Sequence, residues 1–227
     1  LFGRGIVSTV DNFGVTGDQP THPELLDHLA RRFIQEGWSV KRLIRGIVLS
    51  HTYRLSSHHS PTAYAVDPEN RWLWRHAPRR LTAEEIRDAT LAATGNLNVA
   101  PPSGSAAQNL RVVELRNNGA ESQSLLQAAR ESRHRSVYLP LLRTLVPPAL
   151  EVFDFAEQGM VTGSRDTTTV PTQALYLLND PFVRRQSLAY AEALTARADW
   201  DDGRRLQDAY QRILGRSATP SELERAK

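Results

Sequence analysis

The chain has 227 residues, 40% of them hydrophobic and 23% charged. That is the composition of a folded globular chain and excludes wholesale disorder. Twenty-eight Lys and Arg against 25 Asp and Glu leave a net charge of only +3. The acidic residues interrupt every basic stretch, so nucleic acid is not an expected partner. No segment approaches the ~18 consecutive apolar residues of a membrane span, and a chain without cysteine carries no disulfide, no thiolate and no Cys-x-x-Cys-His haem attachment. No cofactor is therefore expected in this segment.

In chain order, the first stretch is a glycine-punctuated loop, Leu1 to Pro20, holding Arg4, Asp11, Asn12 and Asp18. Thr21-His22-Pro23-Glu24 has the S/T-x-x-E form of a capping box with Pro in the first turn, and Leu25, Leu26, Leu29 and Phe33 follow on one helical face. Gly37 should end that helix. Ser39 should cap the next, which carries Val40, Leu43, Ile44, Ile47 and Val48 at helical spacing. The short Gly37-Trp38 connection makes the two an antiparallel or steeply crossed pair.

Residues 56–68 read as an irregular connection, and Asp67-Pro68-Glu69-Asn70 as the opening of a short helical segment with Trp72, Leu73 and Trp74. Leu81-Thr82-Ala83-Glu84-Glu85-Ile86 combines an N-cap Thr82, an N3 Glu85 and a Leu81-to-Ile86 hydrophobic staple. Residues 96–124 read as a peripheral insertion, with Val112–Leu115 as a short strand and the Asn118-Gly119 step as a turn. Ser136 to Leu142 should be extended, and Ala149 to Ala156 one or two helical turns. Helices are then expected from Pro171, from Pro181 with Asp180 as N-cap, over Leu206 to Ile213 closed by Gly215, and from Thr219-Pro220-Ser221-Glu222. The predicted fold is mainly α: one irregular helical domain over 1–227, with long loops and at most a few short strands. The chain opens on Leu rather than Met and ends inside a helix start, so it is expected to be excised from a longer multidomain chain.

Several of these words, in this order, carry a family resemblance. They are Phe2-Gly3-Arg4-Gly5-Ile6-Val7, Asp11-Asn12-Phe13-Gly14, Pro20-Thr21-His22-Pro23-Glu24-Leu25-Leu26-Asp27 and Gly37-Trp38-Ser39. Ser50-His51-Thr52-Tyr53-Arg54, Asp67-Pro68-Glu69-Asn70, Arg79-Arg80-Leu81 and Arg135-Ser136-Val137-Tyr138 continue the pattern. Thr169-Val170-Pro171-Thr172-Gln173-Ala174-Leu175, Leu178-Asn179-Asp180-Pro181 and Leu214-Gly215-Arg216 complete it. The sequence resembles the planctomycete-type PSD C-terminal domain of unknown function found in large exported proteins. The resemblance implies export to the periplasm or outside the cell, and other domains of the same chain as partners, among them a cytochrome c-like domain. It also implies a connection to a redox partner or to polysaccharide. Haem would belong to that other domain and not to this segment. Where relatives have Phe-Asp followed by Pro-Asp, this chain reads Phe153-Asp154-Phe155-Ala156-Glu157, so no role of the second acid is carried over.

Candidate chemistry is sparse. Asp11, Asn12, His22, Arg165 and Asp166 are the candidate catalytic residues of a glycan-processing hydrolase, provided that their loops converge; Asx residues before Gly more commonly make turns. Trp38, Trp72 and Trp74 are candidate sugar-stacking residues of a carbohydrate-binding module, against the ordinary role of tryptophan as a core anchor. Glu24 and His28 stand at i, i+4, but Glu24 is explained by the capping box, and no metal site is assigned. Arg4, Arg135 and Arg165 read as buried or half-buried ion-pair partners, with Asp11, Asp18 and Asp154 as the candidate anions for Arg4. No nucleophile elbow or phosphate loop is present. The favoured reading is a structural and interaction module, with the hydrolase and the carbohydrate-binding module as alternatives.

Overall fold

The computed structural model describes residues 1–109, 119–142 and 145–226. Among them are ten α-helices, no β-strand, and two isolated bridges, Asn98 to His134 and Leu142 to Leu145. The fold is mainly α. Contacts gather into two compact units, Leu1–Arg80 and Leu81–Lys227, where the sequence pointed to one domain. The division falls just before the Thr82 helix cap.

The first unit contains α1 (Pro23–Gln35), α2 (Val40–Val48) and α3 (Pro61–Val66). The capping box expected at Thr21 does not form. His22 is the N-cap and makes no side-chain cap bond. Thr21 instead donates its N–H and its hydroxyl to the Ile6 carbonyl, at 2.9 and 3.2 Å, tying the opening loop to the mouth of α1. The far end of α1 closes as expected. Gly37 takes φ +74°, its N–H donates to the Ile34 carbonyl and that of Trp38 to the Phe33 carbonyl, a Schellman pattern. The Phe33 and Trp38 rings meet edge-on at 5.4 Å across it.

Ser39 caps α2 by accepting from the Arg42 N–H. Helices α1 and α2 pack together, and the Arg32 guanidinium lies against Gly46, where a Cβ would stand 3.0 Å from its nitrogen. Helix α3 is a correction to the irregular stretch expected over 56–68. Its signal was Ser60, which accepts from the Ala63 N–H, followed by Pro61 in the first turn. The helical segment expected from Asp67 is also corrected. The buried Asp67 carboxylate accepts from the Arg71 and Trp72 N–H groups at 2.9 and 2.8 Å, and Asn70 and Leu73 take φ +54° and +52°. These bonds fold residues 67–75 into successive turns instead of a helix.

The second unit contains α4 (Ala83–Ala93), α5 (Ala120–Glu131), α6 (Pro148–Glu151), α7 (Pro171–Asn179), α8 (Pro181–Thr195), α9 (Asp202–Leu214) and α10 (Pro220–Arg225). Helix α4 touches α6, α8 and α9. The core forms around Ala83, Ala129, Leu139, Leu150 and Phe153, with Ile86, Val146, Val152, Phe155 and Tyr176 packed against it. The expected caps are present at Thr82, Asp180 and Thr219, and Gly215 takes φ +69° at the end of α9.

The region 96–124 is only partly irregular. The expected Val112–Leu115 strand and Asn118 of the expected turn lie outside the described residues. Residues 120–124 open α5 and bury Ser122, so they are part of a packed helix. Ser136–Tyr138 is a single 3₁₀ turn where an extended segment was expected.

Candidate functional site

In the first unit, the opening loop, α1, α2 and the turns after Asp67 enclose a cavity of about 520 Å³. That size is in the range of small-molecule sites. Leu25 and Leu29 of α1, Leu43 and Ile47 of α2, and Leu73 of the turns supply its apolar wall. These are the apolar faces of two amphipathic helices, so the spacing that makes α1 and α2 pack also lines the cavity. Phe2 closes one side and is backed by Tyr53 and His76, at ring distances of 5.4 and 6.1 Å.

The polar lining includes three arginines, Arg4, Arg32 and Arg71. Arg4 donates from Nη1 to Glu69 Oε2 at 3.2 Å and from Nε and Nη2 to Ser8 Oγ. Glu69 is thus the anion for Arg4, in place of Asp11, Asp18 or Asp154. Arg4 is half exposed, not buried. Arg32 donates to Glu36 at 2.8 Å. Arg71 lines the cavity with no hydrogen bond or ion pair from its guanidinium among the described residues. His22 and His28 lie on the same wall. Glu69 is the one carboxylate among the described lining residues, so the cavity holds no carboxylate pair of the kind glycoside hydrolysis uses.

The sequence-derived candidates fall as follows. Asp11 is exposed and makes no hydrogen bond or ion pair among the described residues. Asn12 donates from Nδ2 to the Thr16 carbonyl at 3.0 Å and accepts from the Thr16 hydroxyl at 2.8 Å. Thr9 adds a bond to the Asn12 carbonyl, and a Cβ on Gly17 would stand 1.9 Å from that oxygen. Asn12 is therefore the knot of a tight loop. His22 alone of these three lines the cavity, with Nδ1 at 3.0 Å from the Thr21 hydroxyl and its ring edge-on to Trp72 at 5.5 Å.

Arg165 and Asp166 belong to the second unit. Arg165 donates to Glu84 Oε2 at 2.7 Å and lies over the Phe155 ring at 5.1 Å, while Asp166 is exposed. Burial pushes the Glu84 pKa up, but the Arg165 hydrogen bond and backbone hydrogen bonding outweigh it and hold the carboxyl below its usual value. The Glu84 hydrogen bond raises the Arg165 pKa. Among the tryptophans, Trp38 and Trp72 are 67% and 73% exposed, and Trp74 donates its indole N–H to the Asp67 carbonyl under the Arg75 guanidinium. No two indoles stack on one another among the described residues. Nor do His22, Glu24, Asp27 and His28 form a group able to hold a metal ion.

A buried polar cluster is built on Arg87 and Asp88, neither of which was singled out from the sequence. Arg87 is 2% exposed. It donates to the His134 carbonyl at 3.0 Å, to Ser136 Oγ at 3.3 Å and to the Ser132 carbonyl. Asp88 accepts from the Ser136 N–H and hydroxyl, both at 2.7 Å. Arg135, expected to be a buried or half-buried partner, is half exposed and 3.8 Å from Asp88. The available signal was register: Ala83, Arg87 and Leu91 recur every four residues, which places Arg87 on the inward face of α4.

The family model for PSD1, protein of unknown function (DUF1553), matches residues 1–227. The chain belongs to the PSD1 family. No curated protein and no solved structure matches it. Among the described residues of this PSD1 domain, no helix is long and apolar enough to cross a membrane.

Proposed function

We propose that this PSD1 domain is a structural and interaction module of an exported multidomain protein, docking onto another domain of the same chain. The observation that carries the reading is an unpartnered apolar stripe on α2. Leu43 and Ile47 line the cavity, whereas Val40 and Ile44, one helical turn apart, are 59% and 43% exposed. Large apolar side chains repeated along one helix face in water mark an interaction surface. The pairing of Arg4 with Glu69, Asn12 with Thr16 and Arg165 with Glu84 supports this reading over a hydrolase. Those side chains spend their hydrogen-bonding capacity within the fold. The cytochrome c-like neighbour implied by the family resemblance is the proposed docking partner, and the exported location follows from the same resemblance.

Calorimetry of the longer protein tests the proposal. Replacing Val40 and Ile44 together by Asp should lower the midpoint of the neighbouring domain's unfolding transition as well as that of this one. A neighbouring transition that does not move would contradict docking through α2.

A further inference from the structure

The cavity lies behind Leu43 and Ile47, which flank Val40 and Ile44 on the same face of α2, and its lining points to a ligand of its own. We propose that it binds an amphiphilic monocarboxylate with an aliphatic tail. The wall formed by Leu25, Leu29, Leu43, Ile47 and Leu73 is aliphatic and offers nothing to hydrogen-bond along its length. The charge at the lining is specific. Arg4 and Arg32 each hold a carboxylate, Glu69 at 3.2 Å and Glu36 at 2.8 Å. Arg71 holds none among the described residues, while Glu69, the nearest acid in sequence, is paired with Arg4, and Asp67 is occupied by the Arg71 and Trp72 N–H groups. The cavity therefore presents an unpaired guanidinium, that of Arg71, beside an aliphatic wall.

One negative charge and an alkyl chain complement that arrangement. A carboxylate fits the planar fork of a guanidinium bidentately, whereas a phosphate monoester brings between one and two charges to a single unpaired guanidinium. The proposal goes beyond domain docking and does not depend on it, since docking is assigned to the exposed Val40 and Ile44 and the ligand to Leu43 and Ile47, which line the cavity.

Isothermal titration of the whole chain with dodecanoate, dodecanol and dodecyl phosphate, each below its aggregation concentration, tests the assignment. Dodecanoate should fill a single saturable site. Arg71→Gln should weaken it about 5-fold, the scale of one partly solvated charge contact, and leave dodecanol binding unchanged. Ile47→Trp, which fills the cavity, should abolish both. If that variant fails to fold, Leu29→Phe serves in its place, with folding checked by circular dichroism. Absence of saturable dodecanoate binding would overturn the proposal, as would binding that survives the cavity-filling variant. An unchanged affinity in Arg71→Gln, or tighter binding of dodecyl phosphate, would overturn the carboxylate assignment.

Discussion

Arg87 shows how much one side chain contributes when it is buried with all its partners. Its guanidinium holds two carbonyls and a hydroxyl of the segment 132–136 against α4, and it lies over the Phe182 ring at 5.6 Å. Arg87→Met keeps most of the volume but leaves those acceptors unpaired away from water. Urea unfolding should show a loss of about 3 kcal/mol, the scale for breaking a buried charged network. Arg4→Met, on a solvated pair, should cost about 0.5 kcal/mol. Equal losses would show that Arg87 is no anchor. The Arg165–Glu84 pair has a pH signature instead. Because Glu84 is held below its ordinary pKa when folded, its contribution is present above the unfolded glutamate value and disappears as pH falls through the folded one. Arg165→Ala should therefore be less stable than the parent by about 0.5–1 kcal/mol at neutral pH, discounted for the exposure of both groups. The two proteins should converge in acid. A gap that persists there would assign the loss to the Phe155 contact. The sequence named Arg4 and Arg165 as ion-pair partners but could not give their acids, because Glu69 and Glu84 lie 65 and 81 residues away along the chain.

At the scale of elements, local chemistry was legible where nothing competed with it. The Thr82 box forms with Glu85, and Thr82→Ala should cost about 1 kcal/mol in thermal unfolding. A change below the detection limit would mean that packing alone holds the start of α4. Thr21 has the same sequence form and does not cap, because the Ile6 carbonyl takes both of its donors. That acceptor is 15 residues away, beyond what a four-residue pattern can register. At Asp67 a carboxylate satisfied the next backbone N–H groups in turns where a helix was expected. The cavity was hidden for a related reason. The periodicity of α1 and α2 identifies Leu25, Leu29, Leu43 and Ile47 as inward-facing, but whether inward-facing side chains fill the space between elements depends on how closely those elements approach.

At the scale of the whole molecule, the mainly helical class followed from the caps and spacings, and the family from ordered words spread along the chain. The division into two units was not visible, because the composition does not change at Arg80-Leu81 and no Gly- or Pro-rich linker marks it. The proposed docking function rests on what the first unit leaves uncovered, Val40 and Ile44 of α2. If α2 is a docking surface, the backbone it carries should open less often once a neighbouring domain covers Val40 and Ile44. Amide hydrogen exchange over residues 40–49, compared between this 227-residue chain and the longer protein, measures that directly. The account predicts slower exchange in the longer protein across α2, and the same exchange as in the shorter chain once Val40 and Ile44 are both Asp. Identical exchange over residues 40–49 in the two parent proteins would contradict it.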